Sequence, residues 1–222
     1  MAIAADKAYE LLKQRLVGGS YAPGAQLKEE HIARELATSR TPIRAALKRL
    51  VQDGLASDDA GRGVRVPAWT ESDIAETYEL RGLLEGHAAQ LAARRGGVAL
   101  ADRLDDLNAQ MAQVLADGGD GMALRLQEIN AQFHRAIVDG SASARLRGAL
   151  AGLIDMPIVI RSYFISTPQD LQQSLHHHRD LAAAVRAGDP ELARDAMQLH
   201  LRLAAHRFRL RRSEFGKGPL PG

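Results

Sequence analysis

Three histidines and an asparagine in the second half of the chain have residue types and spacing suited to holding a metal. Asn130 and His134, four residues apart, share one helix face, while His178 and His200 fall on two later helices separated by Gly188-Asp189-Pro190. Three imidazoles and one side-chain oxygen can therefore converge, and neutral imidazole suits zinc, nickel, copper, iron or cobalt. The competing reading makes His176-His177-His178 a surface triplet and leaves the other histidines structural. Zero cysteines exclude disulfides and thiolate chemistry, so nitrogen and oxygen are the available ligands. An enzymatic alternative is a metal-dependent hydrolase or lyase, in which the His-rich site activates water, but no general base stands evidently beside the ligands. Arg81 is a fifth residue of interest. It lies between apolar Leu80 and Leu83, where burial without an anion is costly, so it calls for a carboxylate. Glu85, four residues on, can supply one internally, and a bound acid can supply another.

A different chemistry is concentrated in residues 40–52. Arg40, Thr41, Arg44, Lys48 and Arg49 lie opposite the apolar stripe Ile43, Ala46, Leu47 and Leu50, with no acidic residue between Arg40 and Gln52. A helix with a purely cationic outer face can enter a DNA major groove. There, arginine binds guanine O6 and N7 bidentately, while hydroxyls and lysines engage phosphates. Arg62, between Gly61 and Gly63 at a hairpin tip, offers a minor-groove arginine on a backbone that can approach closely. A merely solvated basic face is the plain alternative.

Local signals define the elements that must carry these groups. A helix spans about Ala4 to Leu16, burying Ala8, Leu11, Leu12 and Leu16 before Gly18-Gly19 stops it. A second fits Lys28 to Leu36. A third begins at Arg40 after Ala37-Thr38-Ser39, with a hydroxyl at the N-cap and Pro42 in the first turn, where its missing N–H costs nothing. Leu55 to Ser57 and Val64 to Pro67 read as short strands around a glycine-rich turn. From Glu71 the period is helical, with breaks at Gly96-Gly97, Gly118-Gly119, Gly140-Ser141, Ser166-Thr167-Pro168 and Gly188-Asp189-Pro190. These give about six helices in an antiparallel bundle, with Pro157 kinking the fourth.

The composition agrees with this mainly α reading. Of 222 residues, 45% are hydrophobic and only 4% aromatic, which excludes a wholly disordered or collagen-like chain. No apolar run approaches the roughly 18 residues of a membrane span, and the start MAIAADKAYE has neither a basic nor an apolar leader region. A cytoplasmic location with no membrane partner is expected. Through Pro67 there are 11 Lys/Arg against 8 Asp/Glu, from Ala68 to Leu201 there are 12 against 18, and beyond that 6 against 1. Basic ends on an acidic helical body suit a nucleic-acid reader joined to a second module.

The residues Pro23-Gly24-Ala25-Gln26-Leu27, the run Leu36 to Leu47, Leu50, Asp53-Gly54-Leu55 and Gly61-Arg62-Gly63-Val64 resemble the winged helix of GntR-family transcription regulators. The likeness covers about the first 67 residues and is most specific at Ser39-Arg40-Thr41-Pro42-Ile43-Arg44. It implies that Arg40, Arg44 and the wing around Gly63 touch DNA. Glu30 departs from the basic residue that some members carry, which argues against a phosphate contact there.

The body is similar to the FCD ligand-binding domain of the FadR subfamily, roughly from Glu71 to Arg209. The likeness rests on Tyr78-Glu79-Leu80-Arg81, Leu84-Glu85, Asn130 to His134, His177 to Leu181, Gly188-Asp189 and Met197 to His200. It implies a divalent metal ion, zinc or nickel, on His134, His178 and His200. Asn130 stands where the family usually has aspartate, and its amide oxygen is a weaker ligand than a carboxylate. His176 and His177 flank the matched position and face solvent in this reading. The likeness further implies that Arg81 binds an acidic effector, with Arg161 and Tyr163 as secondary candidates.

The expectation is thus a winged helix-turn-helix DNA-binding domain over 1–67, an all-helical effector-binding and dimerisation domain over 71–212, and a disordered tail over 213–222. Its function would be that of a repressor contacting double-stranded DNA through Arg40, Thr41, Arg44, Lys48, Arg62 and Gly63. A homodimer would face a palindromic operator and respond to a small carboxylate.

Overall fold

Sparse β-branched residues and abundant alanine, leucine and arginine favour helices, and helices dominate the computed structural model, which describes residues 2–59, 63–68, 70–154 and 157–211. Among these residues there are ten helices and one two-stranded sheet. They form two compact units, built mainly from Met1–Thr70 and from Glu71–Asp155 with Ser162–Arg212. No helix among the described residues is long and apolar enough to cross a membrane.

In the first unit, α1 (Ala2–Val17) packs on α3 (Arg40–Gln52), and α2 (Glu29–Glu35) also lies against α3. The stripe Ile43, Ala46, Leu47 and Leu50 is buried, and it meets Ala8, Tyr9, Leu12 and Leu16 of the same unit's core. Tyr9 occupies the place expected for Leu11, which is exposed, because the Tyr9 hydroxyl donates to Asp53 Oδ2 at 2.6 Å. Between α2 and α3 the chain turns through Ala37 at φ +47°, a left-handed conformation that L side chains rarely adopt. Ser39 occupies the N-cap position of α3 but makes no capping hydrogen bond.

Strands β1 (Ser57–Asp59) and β2 (Gly63–Arg65) pair antiparallel, Asp58 opposite Val64. The strands sit slightly outside the expected spans because Leu55 and Ala56 are spent on the core. The segment before α2 closes against β2, the Leu27 amide donating to the Val64 carbonyl at 2.8 Å. Arg62 and the tail 213–222 lie outside the described residues.

The second unit is wholly helical: α4 (Glu71–Arg95), α5 (Gly97–Asp117), α6 (Met122–Gly140), α7 (Ala144–Ile154), α8 (Pro157–Phe164), α9 (Pro168–Ala187) and α10 (Pro190–Arg211). The first residues of α8 group with the other unit. Seven helices replace the expected six, because Pro157 opens a new helix instead of kinking one. The first helical position tolerates the absent N–H that an interior position would not. α4 is central, packing against α6, α7, α9 and α10. Its fully buried Ala88, Ala89 and Ala92 let neighbouring backbones approach closely. Thr167 and Asp170 form a reciprocal capping box at the start of α9, and Gly188 ends that helix at φ +64°.

Candidate nucleic-acid interface and candidate metal centre

The outer face of α3 carries Arg40, Thr41, Arg44 and Lys48, all exposed. Arg40, Arg44, Lys48 and Gly63 line one hollow of about 640 Å³ between α2, α3 and the wing, together with Gln26 and Glu29. Gly63 takes φ +82°, and a Cβ there would lie 3.1 Å from Gln26, so a glycine suits both the turn and the space.

The expectation of a purely cationic face is corrected by α2. Arg44 donates from Nε and Nη2 to the two Glu29 oxygens at 2.8 and 2.9 Å, and Arg40 Nη2 lies 3.5 Å from Glu29. The Arg44 hydrogen bonds hold the Glu29 carboxyl below its ordinary pKa despite partial desolvation. Counting charges along α3 alone missed Glu29, which stands 15 residues before Arg44. Arg49 is also committed internally. It stacks 3.8 Å above Tyr9 and lies 3.2 Å from Asp6, so it ties α3 to α1.

In the helical unit, α6, α9 and α10 bring His134, His178 and His200 together. All three are buried, and each presents a ligand nitrogen within 4.8 Å of the others. His178 Nε2 and His200 Nε2 are 3.4 Å apart. Tetrahedral ligands at the usual zinc–nitrogen distance stand roughly 3.3 Å from one another, so the triad can hold a metal ion. Phe133 stacks on His178 with centroids 4.2 Å apart and fixes that ring.

His134 Nδ1 is hydrogen-bonded to Glu85. An ionised carboxylate only accepts, so Nδ1 carries a proton, and in the neutral tautomer this selects, Nε2 is the nitrogen with a lone pair for a ligand. Burial, and then the neighbouring imidazoles, hold His178 and His200 well below their ordinary pKa and therefore neutral. Asn130, one turn before His134, is buried, and its Oδ1 has no hydrogen-bond partner among the described residues.

Arg81 meets the internal partner. Its Nε donates to Glu85 Oε1 at 2.6 Å with both side chains buried. Burial opposes ionisation of Glu85, but Arg81 and then His134 overcome it and depress the carboxyl pKa. Arg81 Nη2 remains buried without a hydrogen-bond partner among the described residues. Two tyrosines extend this polar region: Tyr78 is hydrogen-bonded to Ser162 and Tyr163 to Ser174, and burial raises both hydroxyl pKa values.

His177 departs from the solvent-facing expectation. His176 is exposed, but the His177 ring is half-buried and lies 6.0 Å from His200. Leu80 and Leu83 are likewise exposed while Arg81 between them is buried, the reverse of the order that hydropathy suggests. The Arg161 side chain falls outside the described residues.

Comparison with known proteins gives two family matches. Residues 4–66 match "Bacterial regulatory proteins, gntR family", and residues 76–203 match the FCD domain. The chain is 30% identical over 197 residues to a probable D-xylose utilization operon transcriptional repressor of Paenarthrobacter nicotinovorans, covering 89% of this chain and 85% of that one. A shorter match, 42% identical over 78 residues, links it to the gluconate operon transcriptional repressor of Bacillus subtilis (strain 168), with coverage of 35% and 31%. Among solved structures, E. coli McbR/YncC aligns at a TM-score of 0.69 with 25% identity, covering 93% of this chain and 98% of that one. A putative GntR regulator from Rhodococcus sp. RHA1 shares the fold, at a TM-score of 0.66 and 21% identity over 91% and 96% of the two chains.

Proposed function

The chain belongs to the GntR family of bacterial transcription regulators with an FCD domain, and from that premise we propose that it is a repressor whose operator affinity is set by a small carboxylate bound beside a metal. The observation that carries this reading is the buried Arg81–Glu85–His134 chain, which ends in groups without partners. Among the described residues, Arg81 Nη2 has an unfilled donor, while Asn130 Oδ1 and His134 Nε2 have unfilled acceptors. Buried polar groups left unsatisfied cost free energy, and a ligand offering both a cation and an anion would satisfy all three.

His134, His178 and His200, with Asn130, would hold a divalent cation, zinc or nickel. Such an ion supplies a Lewis-acidic point of attachment for a carboxylate oxygen. Glu85 keeps His134 in the tautomer that leaves Nε2 available and keeps Arg81 oriented, and Arg81 Nη2 donates to the acid. Residues 71–212 serve in this reading as the effector-binding and dimerisation domain, and residues 1–67 as the DNA-binding domain. Arg40 and Arg44 read base edges, Thr41 and Lys48 engage phosphates, and the wing at Arg62 and Gly63 approaches the backbone. A homodimer presents two such faces to a palindromic operator, and the acid shifts the population of DNA-competent arrangements.

The hydrolase or lyase alternative gains no support: both family matches and the named relatives are regulators. Mobility-shift titration with the chain's own upstream region tests the proposal. Sequence-specific binding that changes when citrate, lactate or a sugar acid is added is the expected result, with the response lost in His134→Ala but DNA binding kept. An acid response unaltered in His134→Ala removes the metal-centred effector site.

A further inference from the structure

The groups gathered around the buried histidine triad sum to no net charge. Burial and the neighbouring imidazoles keep His178 and His200 neutral, and a histidine that offers Nε2 to a metal while Nδ1 keeps its proton is neutral as well. Asn130, one turn before His134, adds an amide oxygen that carries a dipole and no charge. Among the described residues Glu85 is the only buried carboxylate. Its charge already has a counter-ion, because Arg81 Nε donates to Oε1 at 2.6 Å while the second oxygen holds His134 Nδ1. A divalent cation seated on this set would leave two positive charges uncompensated among fully buried side chains, which is costly.

Two orphaned atoms indicate what completes the site. Asn130 Oδ1 calls for a cation and Arg81 Nη2 for an anion, and both are buried without hydrogen-bond partners among the described residues. A metal alone satisfies the first and places a further cation in reach of Arg81, whose charge His200 already feels. An acid alone satisfies the second and leaves the amide oxygen and the imidazole lone pairs empty. We propose that Asn130 makes metal and acid binding mutually dependent: the site holds a divalent cation tightly in the company of a carboxylate, and the carboxylate tightly in the company of the cation. The inference rests on the metal-and-acid reading above and specifies how the two ligands are linked. Linkage is reciprocal, so the factor by which the acid tightens the metal is the factor by which the metal tightens the acid. A carboxylate at position 130 would weaken the dependence, since the protein would then carry the charge that the acid otherwise brings. The protein therefore answers to joint availability, and either ligand without the other leaves the site largely empty.

Calorimetric titration of the chelator-treated full chain with nickel(II) tests this, in chloride buffer and in acetate buffer of the same ionic strength. Acetate is a minimal probe of carboxylate chemistry and chelates nickel weakly. It is expected to raise the wild-type nickel affinity on the order of 5- to 150-fold, the ordinary range of coupling between sites. Asn130→Asp should bind nickel about tenfold or more tightly than wild type in chloride, and acetate should tighten it much less. Because a buried aspartate can itself disturb the fold, the coupling is also read on the wild type alone, by thermal unfolding: nickel and acetate together should raise the midpoint by more than the sum of their separate shifts. Wild-type nickel affinity that is indifferent to acetate, with additive thermal shifts, overturns the coupling and leaves the metal-centred reading standing. Nickel binding by wild type in neither buffer, or nickel binding that persists unchanged in His134→Ala, overturns the metal-centred reading and the coupling with it.

Discussion

Two arginine–glutamate arrangements, one in each unit, use the same groups to opposite effect. Arg44 and Glu29 form a bidentate pair on the surface, with the Arg44 side chain 66% exposed, whereas Arg81 and Glu85 pair at 2.6 Å with side-chain exposures of 2% and 0%. Water competes for every bond in the first pair, so it is weak, and in the proposed reading it is exchanged for DNA. No water replaces a lost partner in the second, so breaking it leaves a bare charge in the interior. On the proposed function, the exposed pair aims groups that depart when DNA binds, and the buried pair holds groups that stay.

Glu85→Ala tests the buried side most severely. It strands the Arg81 charge and removes the His134 acceptor, so unfolding by urea should show a loss of about 3–5 kcal/mol, and metal affinity should fall on the order of 10- to 100-fold. Unchanged stability would mean that the pair is not desolvated in solution.

Acidification of chelator-treated protein probes the same interior. His178 and His200 stay neutral when folded, but the unfolded chain takes up protons near pH 6.5. Stability is therefore full above that pH and falls as the pH drops through it, by up to about 1.4 kcal/mol per pH unit for each imidazole. Below about pH 4, the unfolded chain also protonates the Glu85 carboxyl that Arg81 keeps ionised, adding a loss of the same sign. Urea midpoints that match at pH 7.5 and 5.5 would contradict the burial of the triad.

On the exposed side, Arg44→Ala should weaken specific operator binding on the order of 10- to 100-fold, by the loss of one bidentate base contact. Its thermal midpoint should barely move. A large drop in that midpoint would show the surface pair to be structural. Glu29→Gln is the gentlest change: with one negative charge gone from the interface, the salt dependence of nonspecific DNA binding should steepen by about one counterion. An unaltered slope would separate Glu29 from the DNA-facing surface.

Local rules made the backbone readable. The stripe of α3, the glycine stops and the loop prolines depend on neighbours within one or two turns, so they survive folding as read. Pro157 opens a helix where the pattern predicts a kink, because helix interior and helix start differ only in what precedes them. Contacts across the chain were legible in part. The three histidines stood out as rare ligating side chains at helical spacing, and Glu85 as the i+4 neighbour of Arg81. The Glu29–Arg44 pair and the half-burial of His177 depend on how separate helices face each other, which periodicity does not encode. Arg81 was legible as a cation calling for a carboxylate, and Glu85 supplies it in the interior, whereas the outward turn of Leu80 and Leu83 on either side was not legible from hydropathy.

His178 and His200 are 22 residues apart on a helical hairpin fastened at both ends, by the turn at Gly188 and by the ion pair of Arg211 with Asp170. Closing so short a loop costs little chain entropy, and the cost grows only logarithmically with length. Half of the proposed ligand set thus lies within one local hairpin, whereas His134 and its Glu85 brace come from α6 and α4. A cation held by all three imidazoles would therefore tie the short-range closure of that hairpin to the long-range packing of α4 and α6 against it.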